Sequence, residues 1–166
     1  MKKILPVLVI AVISLSNCRK TDDTQRHINC DGLVTDTLGT GDAGRIFIPN
    51  AFTPNGDGIN DIIRPVPRNI ASLVFTIYDE NNNILFSTNQ MSLGWGPLFT
   101  GSTAIKYYYK IQAVTNANKH IGVCGDVYAL NCRPGNIAAT SLTFESMLTQ
   151  TGFDNEAGRE NLPFCP

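Results

Sequence analysis

The sequence predicts an all-β fold, an immunoglobulin-like antiparallel β-sandwich carrying an N-terminal tether and a C-terminal extension. Three observations lead there. Apolar residues recur with the period of two that a strand requires, most clearly from Ile70 to Asp79. Clusters of Asn, Asp and Gly punctuate these runs at short intervals. No segment before residue 140 keeps a convincing helical spacing. Short alternating strands separated by turn chemistry are the pattern of a two-layered β domain.

The elements follow in order. Residues 19 to 44 are rich in Thr, Asp and Gly and read as tether and loop. Ile46, Phe47 and Ile48 form a short apolar run that Pro49 ends or confines to a sheet edge. Pro65 and Pro67 impose the same limit after Ile62 and Ile63. In Ile70 to Asp79, Leu73, Phe75 and Ile77 alternate with Val74, Thr76 and Tyr78. Asp79 to Asn83 then supplies turn chemistry, because asparagine tolerates positive φ and bonds its own backbone. Ile84 to Thr88 returns as the second arm of a hairpin. Lys106 to Thr115 places Tyr107, Tyr109, Ile111 and Ala113 on one face, and Asn116 to Lys119 makes the next turn. His120 to Cys132 is a fourth run, in which Gly122 and Gly125 are places for bulges. Beyond it, Leu142, Phe144, Met147 and Leu148 fit a helical stripe capped by Ser141, or equally a strand followed by an irregular tail.

Length leaves room for one globular domain within the 166 residues, bounded here as 45–132, with an extension over 133–166. A net charge of -1 and a pI near 6.1 provide no basic block to neutralise phosphates, so no nucleic-acid partner is expected.

The first residues read as an export signal over 1–17. Lys2 and Lys3 form a positive start, and Ile4 to Leu15 form an apolar stretch too short to span a bilayer comfortably, interrupted by Pro6. Leu15-Ser16-Asn17-Cys18 resembles the lipobox of bacterial lipoproteins, which implies acylation of Cys18 and a mature chain starting there, with a tether over 18–44. A membrane partner through that lipid follows, since each buried methylene contributes about 0.8 kcal/mol. The stretch Arg19-Lys20-Thr21-Asp22-Asp23 resembles signals that send lipoproteins of the Bacteroidota to the outer face of the outer membrane.

With Cys18 acylated, Cys30, Cys124, Cys132 and Cys165 remain, and an even number in an exported chain implies two disulfides. Cys124 and Cys132 on one uninterrupted strand lie too far apart to join, because eight extended residues span roughly 26 Å. Cys30 and Cys165 are therefore expected to bond Cys124 and Cys132, in either pairing. The spacings lack the C-x-x-C of a zinc site.

The stretch from Ile48 to Asp61, IPNAFTPNGDGIND, resembles the opening signature of the gliding motility-associated C-terminal domain family. Later elements keep the family order: a strand ending Ile77-Tyr78, then Ile84-Leu85-Phe86, Gly94-Trp95 and an aromatic strand at Tyr107 to Tyr109. The resemblance covers about residues 46 to 132. It implies a small non-catalytic β-sandwich of secreted and surface proteins, which serves as the type B sorting domain of the type IX secretion system. Partners in the secretion or gliding machinery are implied with it. The motif residues are Phe52, Thr53, Pro54, Asn55, Gly56, Asp57, Gly58, Asn60 and Asp61.

The chemistry of that loop has two readings. Asn55, Asp57 and Asp61 offer hard oxygen ligands for calcium, although an EF-hand register puts Arg64 where a bidentate glutamate is required. The favoured reading is a rigid turn, in which Pro54 fixes φ, Gly56 and Gly58 allow left-handed backbone, and the aspartates bond local amides. No cofactor beyond that possible calcium is implied. His27 and His120 sit in no catalytic motif, and Asp79 with Glu80 lacks the partners of a glycosidase pair. Trp95 is expected as a core anchor, with carbohydrate stacking by Trp95 and the tyrosines as the alternative. The expected protein is thus a non-enzymatic, lipid-anchored surface module, or else a type IX secretion cargo.

Overall fold

The computed structural model describes residues 30–98, 104–154, 157 and 160–166. Cys18 and His27, with residues 1–17 that read as an export signal, lie outside the described residues. The strands are β1 (Arg45–Phe47), β2 (Ala51–Phe52), β3 (Val66–Arg68), β4 (Ile70–Tyr78), β5 (Ile84–Thr88), β6 (Ala104–Thr115), β7 (His120–Leu130), β8 (Leu148–Thr149) and β9 (Gly152–Phe153). The fold is all-β, as the sequence predicts. The main sheet has the order β2-β7-β6-β4-β5, while β1 pairs with β3 and β8 with β9. Every pairing between these strands is antiparallel except that of β2 with β7, which is parallel.

Local chemistry accounts for the long strands. The β4–β5 turn is built on Asp79, whose Oδ1 accepts the N–H of Asn81 and of Asn83, each at 2.8 Å. Its Oδ2 accepts Asn83 Nδ2, also at 2.8 Å, and Asn82 takes φ 63°. The Asn83 side chain, then its backbone amide, holds the Asp79 carboxyl below the usual carboxylate range. Between β6 and β7, Asn118 takes φ 58° and Thr115 Oγ1 accepts the N–H groups of Ala117 and Lys119.

The bulges expected at Gly122 and Gly125 do not occur: β6 and β7 stay in register from Ala104↔Leu130 to Val114↔His120. Both glycines answer to close approach instead. A Cβ on Gly125 would stand 2.8 Å from the Tyr109 hydroxyl, and one on Gly122 would stand 2.7 Å from Leu33 Cβ. The ladder irregularities fall elsewhere, between Ile70 and Ser72 and at Ile77/Tyr78 opposite β5.

One face of the sheet carries Leu73, Phe75, Ile77, Tyr109, Ile111, Ala113, Val127 and Ala129 into the main core. Ile46, Ile48, Met91 and Trp95 pack over it, so the covering layer is the β1–β3 ribbon together with the segment through Trp95. Trp95 also forms an isolated antiparallel bridge with Ile63, and its ring meets Phe52 and Tyr107 edge-on at 5.9 and 4.9 Å between centroids. That is the place of a core anchor.

A second core lies at the β2 end, where Leu142, Phe144 and Met147 pack on Ala51 and Leu130. Of the two readings of this segment, a helical stripe or a strand followed by an irregular tail, the α-helix does not form. Single 3-10 turns at Ala139–Ser141 and Glu145–Met147 flank an extended stretch, whose side chains reach the same cluster. Within the extension, Ile137, Leu142, Phe144, Met147 and Leu162 are therefore packed against the domain. Among the described residues, no helix is long and apolar enough to cross a membrane.

Residues 30–36 run as a strap along β7. The disulfide Cys30–Cys124 fixes one end. Gln112 grips Val34 twice, accepting its N–H at 2.9 Å and donating to its carbonyl at 3.0 Å. Asp36 bonds the backbone N–H and the Nδ1 of His120 at 2.8 and 3.1 Å. Those bonds, the backbone one foremost, lower the Asp36 pKa. A depressed folded value keeps this contact intact above the unfolded carboxylate pKa of about 3.9 and loses it as pH falls through the lower folded value. An NMR titration is expected to place the Asp36 midpoint below 3.9, with the His120 amide losing protection in the same interval; a midpoint at or above 3.9 contradicts the contact.

Candidate functional site

The motif divides into buried posts and an exposed crown. Phe52, Thr53 and Pro54 are buried at one foot and Asn60 at the other, while Asn55 to Ile59 face solvent. Thr53 N–H donates to the carbonyl of Asn60 at 2.7 Å and closes the loop at its base.

The crown is organised by its own carboxylates. Asp61 Oδ1 accepts the N–H of Gly56 and Oδ2 that of Gly58, each at 2.7 Å. Asp57 Oδ1 accepts the N–H of Ile59 at 2.8 Å, and its Oδ2 accepts Asn55 Nδ2 at 3.1 Å. Asn55 Oδ1 accepts the N–H of Asp57 at 3.0 Å. Gly56 and Gly58 hold φ 82° and 87°, a region in which a side chain is strained.

Each side-chain oxygen of Asn55, Asp57 and Asp61 is thus directed at a loop donor, whereas a calcium site needs several such oxygens converging on one point. Among the described residues, no group of three or more His, Cys, Asp or Glu side chains is arranged to hold a metal ion. Thermal unfolding in EDTA and in millimolar calcium is therefore expected to coincide. A calcium loop with metal at a hundredfold excess over its Kd would instead add about 2.7 kcal/mol, a rise of several degrees.

The feet of the loop are held by residues that sequence reasoning missed. Glu160 Oε1 accepts Asn60 Nδ2 at 3.0 Å and lies 3.1 Å from the Thr53 hydroxyl. Asn60 Oδ1 accepts the N–H of Ser146 at 3.0 Å. Just upstream, Asn50 Oδ1 accepts the N–H of Thr143 at 2.7 Å, and Asn50 Nδ2 donates to the carbonyl of Ser141 at 2.8 Å. Arg64, just past the loop, forms an ion pair with Glu145 and donates to the carbonyl of Ser92 at 3.1 Å. An open groove of about 510 Å³ runs between crown and extension, walled by Ile59, Asn60, Asp61, Arg64, Glu145 and Ser146.

The cysteines pair as Cys30–Cys124 and Cys132–Cys165. The second bridge is reinforced by Arg133, whose N–H donates to the Pro163 carbonyl at 2.7 Å and whose guanidinium lies 4.2 Å from the Phe164 ring centre. The tyrosines do not present a bare aromatic platform. Lys106 stands over the rings of Tyr108 and Tyr128, and Lys110 over Tyr78, all within 5.8 Å.

No protein-family model matches the chain, and no curated protein or solved structure is significantly similar to it.

Proposed function

We propose that this is a non-enzymatic lipoprotein, anchored through acylated Cys18 to the outer membrane and displaying its β domain at the cell surface. The observation that carries the reading is the pair of disulfides, which persist in an oxidising compartment, and it agrees with first residues that read as an export signal ending in Leu-Ser-Asn-Cys. The domain is read as an immunoglobulin-like sandwich of the gliding motility and type IX secretion kind, with a structural, adhesive or secretion-associated role. Support for a non-catalytic role comes from the motif loop, whose acids are engaged by backbone amides and so are poorly placed to move protons. Partners in the secretion or gliding machinery belong to the same proposal.

The alternative is a type IX secretion cargo in which the domain acts as sorting signal. A carbohydrate-binding module is weaker, because Trp95 packs on Phe52 and Tyr107 and the tyrosine faces meet lysines.

Cys18→Ala separates the first two readings. The native chain is expected in the membrane fraction and the variant in the soluble fraction, with an unchanged thermal transition. Retention of the variant in the membrane, or a native chain that is already soluble, sinks the anchor.

A further inference from the structure

The two edges of the five-stranded sheet are treated unequally. Along β7, one half is paired by β2 through Ala51↔Tyr128 and Phe52↔Ala129. The other half is closed by the strap: Asp36 N–H donates to the His120 carbonyl at 3.0 Å, and Gly122 N–H donates to Thr35 Oγ1 at 2.9 Å. At the opposite edge, β5 has β4 as its one neighbour among the described residues. An antiparallel ladder turns the N–H and C=O groups of alternate residues away from the partner strand. Such a row templates the addition of another strand unless charge, proline or a covering segment blunts it. Residues 84–88, ILFST, contain neither charge nor proline, and Ile84 and Leu85 are 63% and 43% exposed. Among the described residues, a bulge beside Tyr78 is the one blunting device.

The ends of β5 differ in charge. Asp79 and Glu80 lie in the turn that precedes it. After it, Met91 and Ser92 share a groove with Arg68 and with Arg64, whose charge Glu145 already matches. Glu80 and Arg68 are both exposed, and neither belongs to an ion pair among the described residues.

We propose that β5 is the pairing edge of a homodimer. A second copy adds its own β5 antiparallel across a two-fold axis, joining the two five-stranded sheets into one. The choice of occupant rests on charge. In the antiparallel arrangement the acidic end of each copy meets the basic end of the other, Glu80 facing Arg68 twice, whereas a parallel arrangement sets acid on acid. The neutral strand between them opposes no like charges. A patch complementary to itself under two-fold rotation is what an isologous interface requires, and another protein's strand has no need of both ends on one edge.

The test is the mass of the full chain in mild detergent, followed by sedimentation from low micromolar to near-millimolar concentration. A reversible monomer–dimer equilibrium is expected. Leu85→Lys, which puts like charges on both sides of the two-fold, shifts it to monomer. Glu80→Arg and Arg68→Glu each weaken the dimer by at least about threefold, because two symmetry-related exposed pairs turn repulsive at once. The double variant Glu80→Arg/Arg68→Glu returns to within about twofold of the native chain, since the pairs re-form with their signs exchanged. All three substituted positions are exposed, and matching thermal transitions show that folding is intact in each variant. A monomer at every concentration overturns the proposal. So does a dimer indifferent to these changes, as association through residues 1–29 would give, or a double variant no better than the single ones.

Discussion

Replacing Phe52 with alanine is expected to destabilise the domain by about 3–5 kcal/mol, the range for emptying a buried aromatic site. The side chain is fully buried at the start of the motif, edge-on to Trp95, and the main core closes around it. The loss has two parts: the transfer energy of the ring and a cavity that the short strand β2 has little means of collapsing. A small domain has only about 5–15 kcal/mol in total, so urea unfolding should show a much lower midpoint with an unchanged slope. Ile59, in the same motif but 53% exposed, is the control, and Ile59→Ala should stay within about 0.5 kcal/mol. Equal effects at the two positions would mean that the motif is not divided into a buried foot and an exposed crown.

Removing the Cys132–Cys165 bridge with a double alanine variant is expected to cost about 2–4 kcal/mol. The bridge spans 33 residues, and within that span lie Leu142, Phe144, Met147 and Glu160, which cover Ala51 and brace the loop. Part of the effect arises in the unfolded chain, which gains freedom once the link is cut. The rest arises in the native state, where the last residues keep Pro163, Phe164 and Arg133 as their contacts. Hydrogen exchange should therefore show protection falling first around Arg133 and Cys165 and next at Ser146, whose N–H bonds Asn60 Oδ1. A variant as stable as the native chain, with the Ser146 amide protected as before, would contradict a bracing role for the extension.

The sequence announces some of this architecture and is silent on the rest, for local reasons. β4, β6 and the Asp79 turn are legible because alternation and asparagine chemistry act over a few residues. The self-bonded crown is legible for the same cause, since each of its donors lies within five residues of its acceptor. β2 is not, being two residues long and paired in parallel to a strand near residue 128. Leu142, Phe144 and Met147 are readable as helix and as strand alike, because one-turn helices and extended backbone alternate there. Glu160 reaches Asn60 across 100 residues and Thr143 reaches Asn50 across 93, separations that leave no local signature. The strap over β7 reads as loop because polar side chains and one cysteine hold it. The two glycines in β7 look like bulge sites, and only the strap against Gly122 and the Tyr109 ring against Gly125 explain them.

The proposal of an exported, lipid-anchored module is tested most directly by the intact mass of the mature protein isolated from its native membrane fraction, taken before and after reduction. The expected species begins at Cys18, carries acyl chains on it, and gains four hydrogens on reduction, two for each disulfide. An unacylated chain recovered from the soluble fraction would contradict the anchor, and a mass unchanged by reduction would contradict the oxidised domain on which the account rests.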